Sequence, residues 1–264
     1  MKYTYEQLAK MIDHSLLHPT MTDRELEDGC RLAAKYGVAT VCIKPYAVKR
    51  AAELLKDAGV AVGAVIGFPH GNSTTESKRY ETELACRDGA AEIDMVVNCG
   101  KALGGAWDYV ERDVKTVCDE AHKRGAKVKV IFENDYLAKG GAGLSSDDFK
   151  RKLCQLCERA GADWVKTSTG YGFVKQPDGN YNYKGATEHD LALMRASVSP
   201  KVQVKAAGGV RDLDGLIKVR DLGATRCGAT ATAAMLDEYR RREAAEQSGK
   251  SAEAKAGALG SGGY

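Results

Sequence analysis

The sequence predicts a single (β/α)8 TIM barrel, an α/β fold, from three observations. Short β-rich runs recur eight times, a segment with helical spacing follows each, and an X-Gly pair ends most of those segments just before the next run. Eight such units in about 240 residues match a barrel of this kind in count and size. A doubly wound open sheet normally carries a GxGxxG or a P-loop after its first strand, and neither is present. The length of 264 residues is compatible with one domain or two, so the count of units carries the choice.

Taken in order, the runs are MIDHSLL (11–17), VATVCIK (38–44), VAVGAVIGF (60–68), EIDMVVN (92–98), KVKVIFEN (127–134), DWVKTSTG (163–170), KVQVKAAGG (201–209) and ATRCGAT (224–230). Helix starts fall between them. Thr22 with Glu25, Ser73 with Glu76, Ser145 with Asp148 and Thr187 with Asp190 have the spacing at which a cap hydroxyl and a later carboxylate satisfy orphan backbone donors. Helix ends are expected at Gly37, Gly59, Gly89, Gly125, Gly161 and Gly223, where glycine supplies a left-handed C-cap residue. Residues 1–243 are the expected barrel domain. Residues 244–264, with only Leu259 and Tyr264 as larger apolar groups, are an expected flexible C-terminal tail.

Composition narrows the function classes. At 44% hydrophobic and 28% charged residues the chain is neither disordered nor fibrous. A net charge of +3, with both signs spread along the sequence, argues against a nucleic-acid surface, and Arg240, Arg241 and Arg242 read as a solvated helix end. The longest apolar stretch, 60–68, is far short of the roughly 20 residues that span a bilayer. The first ten residues lack an apolar signal core, so no membrane partner and a cytoplasmic location are expected. Eight cysteines without a secretory signal read as reduced thiols. Cys154 and Cys157 form a CxxC inside a helical pattern, with no second pair or nearby histidine. No HExxH occurs, and neither a metal nor a cofactor is expected.

In such barrels catalytic groups sit at the carboxyl ends of strands. Lys166 in WVKTSTG and Lys205 in VQVKAAGG are cations inside strands of apolar or small residues, on adjacent sixth and seventh units. A second cation and desolvation would lower a lysine pKa and leave the neutral amine that attack on a carbonyl requires. Alternatively, each lysine pairs with a strand carboxylate and fills the barrel. Asp94 shares the parity of Glu92, Val96 and Asn98, so it would face those lysines across the lumen as a general acid/base or as their ion-pair partner. Gly170, the pair Gly208 and Gly209, and Gly228 before Ala229 and Thr230 end the last three strands. Bare amides there suit a phosphate, which such barrels commonly hold in the loops after strands seven and eight, although glycines also serve as turn residues.

The strings IDHSLLHPT, VIGFPHG, EIDMVVN, VKTSTG and VKAAGGVR, in this order from about residue 9 to 236, resemble the deoxyribose-phosphate aldolase family. The resemblance implies a class I aldolase that reversibly cleaves 2-deoxy-D-ribose 5-phosphate to D-glyceraldehyde 3-phosphate and acetaldehyde. By the same resemblance Lys166 is the Schiff-base lysine, Lys205 the second lysine that tunes it and Asp94 the proton-transfer aspartate. Asp13 supports the second lysine and Cys42 lines the pocket. Thr169, Gly170, Gly208, Gly209, Val210, Gly228 and Thr230 correspond to the phosphate site. A homodimer or homotetramer is the expected assembly, although nothing in the sequence fixes which.

This chain departs from the family pattern in three places. GATAT places Ala231 where a second serine is usual, which removes a phosphate hydrogen bond and leaves the amide donors. Segments 133–146 and 172–186 are longer than expected and follow strand ends on the catalytic face, as a rim or lid or as surface elaboration. Tyr264 ends the tail, as in family members whose terminal tyrosine enters the active site; an inert terminus is the other reading. Two further classes stay open: a related barrel acting on another carbonyl phosphate, and a non-catalytic sugar-phosphate binder. A metal-dependent aldolase is a third option.

Overall fold

The computed structural model describes residues 1–248. A short helix α1 (Tyr5–Ala9) precedes β1 (Ile12–Leu16), α2 (Asp23–Tyr36) and β2 (Thr40–Ile43). A 3-10 turn (Pro45–Ala47) leads into α3 (Val48–Leu55), β3 (Ala61–Ile66), α4 (Thr75–Arg87) and β4 (Glu92–Val96). Then come α5 (Cys99–Leu103), α6 (Trp107–Lys123), β5 (Lys127–Ile131), α7 (Ser146–Arg159) and β6 (Trp164–Lys166). A hairpin of β7 (Val174–Lys175) and β8 (Tyr181–Asn182) follows, and after it α8 (Glu188–Ala196), β9 (Gln203–Ala207), α9 (Leu213–Asp221), β10 (Ala224–Ala229) and α10 (Thr232–Gln247).

The eight runs expected as strands close into one parallel barrel in the order β1-β10-β9-β6-β5-β4-β3-β2. Helix α1, which the strand count did not anticipate, covers its amino end, where Lys10 Nζ donates to the carbonyls of Val38 and Gly59 before β2 and β3. Thr22, Ser145 and Thr187 are N-caps as expected. The fourth expected start moves by one residue: Thr74, not Ser73, accepts the N–H of Ser77. The spacing rule favours Ser73, which has Glu76 at the third place, but Thr74 with its extended backbone makes the cap although only Ser77 stands three residues on. All six expected stops take positive φ, Gly37 at 66° among them.

The tail boundary expected after residue 243 falls inside α10, which continues to Gln247. Arg242 explains this. It is not solvated with its neighbours but buried, and its guanidinium grips Asp214 through both carboxylate oxygens at 2.5 and 2.7 Å. Segment 172–186 is not an open loop, since it contains the β7-β8 hairpin. No helix among the described residues is long and apolar enough to cross a membrane. All eight cysteines are unpaired, and burial pushes the Cys154 and Cys157 thiols up.

One buried ion pair fixes α4 against α6 and the end of β4. Lys78 Nζ lies 2.5 Å from Asp113 Oδ2 and donates to the Val96 carbonyl, with both side chains fully buried. Thr75 donates to the other Asp113 oxygen at 2.9 Å. Replacing Lys78→Met strands a buried carboxylate, so urea unfolding should record a loss of about 3–5 kcal/mol. A loss under about 1 kcal/mol, typical of an exposed pair, would contradict this account of the clamp.

Candidate active site

Strand alternation aims Asp13 from β1, Glu92 and Asp94 from β4, Lys129 from β5, Lys166 from β6 and Lys205 from β9 into the lumen. Lys166 and Lys205 stand side by side in register, as do Asp94 and Lys129. One carboxylate oxygen collects both expected lysines: Asp94 Oδ2 lies 2.7 Å from Lys166 Nζ and 2.6 Å from Lys205 Nζ. Lys205 also reaches Asp13 Oδ2 at 2.6 Å. Lys129, fully buried, takes Asp94 Oδ1 and Asp13 Oδ2 at 3.0 Å each and pairs with Glu92. Arg226 on β10 completes the cluster, 2.9 Å from Asp13 Oδ1 and 2.8 Å from Glu92 Oε1.

Four cations thus face three carboxylates, so loss of one proton makes the cluster neutral. The lysine that loses it most easily has the fewest counter-ions. Lys166 meets one carboxylate, Lys205 two and Lys129 three. Burial pulls the Lys166 pKa below the ordinary lysine range; the Asp94 charge opposes this and the Lys205 charge adds to it. Of the two causes expected from the sequence, burial is the larger. For Lys205, burial is outweighed by Asp13 and Asp94, which hold the ammonium well above its usual range. Asp94 is held well below the carboxylate range by Lys129, Lys166 and Lys205 against its own burial.

Lys129 escaped the sequence reading although it meets the criterion that found the other two, a cation between valines in KVKVI. Arg226 in ATRCGA carried the same signal. Cys42 Sγ lies 3.8 Å from Asp94 Oδ2, in an apolar patch with Leu17, Val65, Phe68 and Tyr171. Burial raises its thiol pKa.

Gly208, Gly209, Val210, Gly228 and Thr230 line one pocket together with Ala229, Tyr183 and Arg211. Gly228 leaves that pocket adjoining the cluster, since a Cβ there would sit 3.5 Å from Lys205 Cε. Thr169 and Gly170 are not among its lining residues. Thr169 turns instead to Glu133, which accepts both its N–H, at 3.2 Å, and its hydroxyl. Nothing in the sequence announced Glu133, a buried residue held at φ 58° whose contact partner lies in another loop. Tyr264 lies outside the described residues, and among those residues no group of three or more His, Cys, Asp or Glu side chains is arranged to hold a metal.

Comparison with known proteins places the whole barrel in one family. Residues 7–239 match the DeoC/LacD family aldolase. A deoxyribose-phosphate aldolase of Rhodopirellula baltica is 50% identical over 240 residues, covering 91% of this chain and 92% of the relative. One from Thermococcus gammatolerans is 42% identical, covering 89% and 98%. Among solved structures, a putative deoxyribose-phosphate aldolase from Coccidioides immitis superposes with a TM-score of 0.78 at 34% identity, covering 90% of this chain and 87% of that one. A tetrameric deoxyribose phosphate aldolase from Aeropyrum pernix gives 0.77 at 30% identity, covering 90% and 92%.

Glu133 supplies a pH test. Burial, opposed by the hydrogen bonds from Thr169, pushes its carboxyl from 4.5 up to about 7. Between those values the folded chain keeps a proton that the unfolded chain has released, so stability falls as pH rises through the window, by about 3 kcal/mol for this group. Glu133→Gln removes the titration. Its unfolding free energy relative to the wild type should therefore gain about 3 kcal/mol from pH 4.5 to 7.5; parallel profiles for the two proteins would refute the assignment.

Proposed function

The chain belongs to the DeoC/LacD aldolase family, and from that premise we propose that it reversibly cleaves 2-deoxy-D-ribose 5-phosphate to D-glyceraldehyde 3-phosphate and acetaldehyde, with Lys166 as nucleophile. The observation that carries this reading is the charge imbalance of the cluster, which leaves Lys166 with one counter-ion and a lowered pKa. Its neutral Nζ adds to the C1 aldehyde of the open sugar, and loss of water gives an iminium. The positive nitrogen then draws in the electron pair of the C2–C3 bond as the C3 hydroxyl gives up its proton. D-glyceraldehyde 3-phosphate leaves and an enamine of acetaldehyde stays on Lys166. A proton returned to C2 restores the iminium, and water releases acetaldehyde.

Asp94 is the proton-transfer group of this reading. Held ionised between Lys166 and Lys205, it accepts the hydroxyl proton through a water and returns it to the enamine carbon without keeping it. Lys205, held charged by Asp13 and Asp94, disfavours a second positive charge on Lys166 until the iminium forms. The glycine pocket beside Lys205 takes the phosphate on backbone amides and Arg211. Ala231, the N-cap of α10 with no side-chain hydrogen bond, offers no hydroxyl there. Holding the phosphate fixes the reacting carbon against Lys166, which is worth several kcal/mol of the barrier. Eight unpaired thiols suit a reducing cytoplasm, and a homodimer or homotetramer is the assembly we propose.

Borohydride reduction in the presence of acetaldehyde should leave one ethyl group on Lys166, located by peptide mass spectrometry. Lys166→Leu should lose both the adduct and turnover while its unfolding free energy stays within about 1 kcal/mol of the wild type, or rises, because Asp94 keeps two other lysines. Turnover at the wild-type rate in that variant, or no adduct on the folded wild type, would end the covalent route.

A further inference from the structure

The two long segments of the catalytic face are joined. The turn after β5 presents Asp135, whose carboxylate accepts the amide N–H of Lys184 at 2.6 Å and of Gly185 at 3.0 Å, just beyond β8. The chain then runs against the end of β9. Gly185 takes φ 71°, a Cβ on it would lie 2.7 Å from the Gly208 carbonyl, and Ala186 N–H donates to that carbonyl at 3.1 Å. Glycine is therefore required at 185 on both counts.

This anchoring turns Tyr183 inward. It is 3% exposed, meets Phe173 edge-on with 5.4 Å between ring centroids, and lines the pocket formed by Gly208, Gly209, Gly228 and Thr230. A Cβ on Gly208 would stand 3.2 Å from the Tyr183 ring. The hairpin thus supplies an aromatic side to a pocket that is otherwise backbone, small side chains and Arg211.

We propose that the β7-β8 hairpin is a fixed wall of the anion pocket, in which Tyr183 is a specificity-determining residue for the phosphorylated end of the substrate and Asp135 a positioning residue that latches the wall. The inference rests on the glycine pocket as the phosphate site and adds what confines the phosphate there. Two consecutive amides on one carboxylate make a charge-assisted latch, and removing the carboxylate leaves both donors without their acceptor. Relaxation at Lys184 and Gly185 moves the adjoining Tyr183 ring off the pocket.

The test compares wild type, Asp135→Ala, Tyr183→Ala and Tyr183→Phe in two assays. In the first, the ratio of kcat/KM for 2-deoxyribose 5-phosphate over free 2-deoxyribose should fall about tenfold or more in Asp135→Ala and Tyr183→Ala, through KM for the phosphorylated sugar, and Tyr183→Phe should recover most of it. A merely structural role lowers both substrates together and leaves the ratio unchanged, which would overturn the proposal. In the second, the melting-temperature shift produced by inorganic phosphate should shrink in the two alanine variants; an undiminished shift would also overturn it. If Asp135→Ala is recovered unfolded, Asp135→Asn, which keeps one acceptor oxygen, should give a smaller fall in the same ratio, and an unchanged ratio there counts against the latch. Absence of an ethyl adduct on wild-type Lys166 would defeat the aldolase reading alone, because the phosphate assay does not depend on turnover.

Discussion

The site depends on how few partners one lysine has. Asp94 holds Lys166 and Lys205 on a single oxygen and Lys129 on the other, and Asp13 and Glu92 bind the remaining charge of Lys205, Lys129 and Arg226. A barrel interior that left every cation matched would be inert ballast. One carboxylate short, it gives a proton up at the position with the weakest hold, and that position is Lys166, with Cys42 among the groups around it. The other cations form no covalent bond on our reading, but they hold Asp94 ionised, and Lys205 also disfavours a charge on Lys166.

The scaffold serves this arrangement through closure. Only a sheet wrapped on itself brings β1, β4, β5, β6, β9 and β10 around one axis, and the strict in-and-out alternation of parallel strands turns residues distant in sequence into neighbours. At the amino end Lys10 and the Arg226 pairs tie strand ends together, and the carboxyl end is left to loops. Those loops differ in stiffness of construction. The glycines after β9 and β10 expose backbone, whereas Glu133 and Asp135 after β5 bind the segments after β6 and β8 by side-chain carboxylates.

Much of this was legible in the residues. The eight strands were readable because they are short β-rich runs, six of them just after a glycine stop, and Thr22, Ser145 and Thr187 declared their helices by local spacing alone. Lys166, Lys205 and Asp94 were readable because charge inside an apolar strand is costly and demands partners, whereas Asp13 came from the family resemblance alone. Lys129 was equally legible and was passed over. What the sequence could not reveal was tertiary pairing between loops: Thr169 held by Glu133 instead of lining the phosphate pocket, the Asp135 latch, and a hairpin whose strands of two residues each are too short to show any period. The boundary at 243 failed for the same reason, since Arg242 is held by a partner on α9.

The direct measurement is a lysine side-chain titration by NMR, following the Nζ resonances of Lys129, Lys166 and Lys205 with each assigned by its own substitution. The account predicts that Lys166 alone becomes neutral below the ordinary lysine range, while Lys129 and Lys205 stay protonated beyond it. If Lys166 keeps its proton as long as the other two, or if one of them yields first, the charge imbalance does not act where this account puts it.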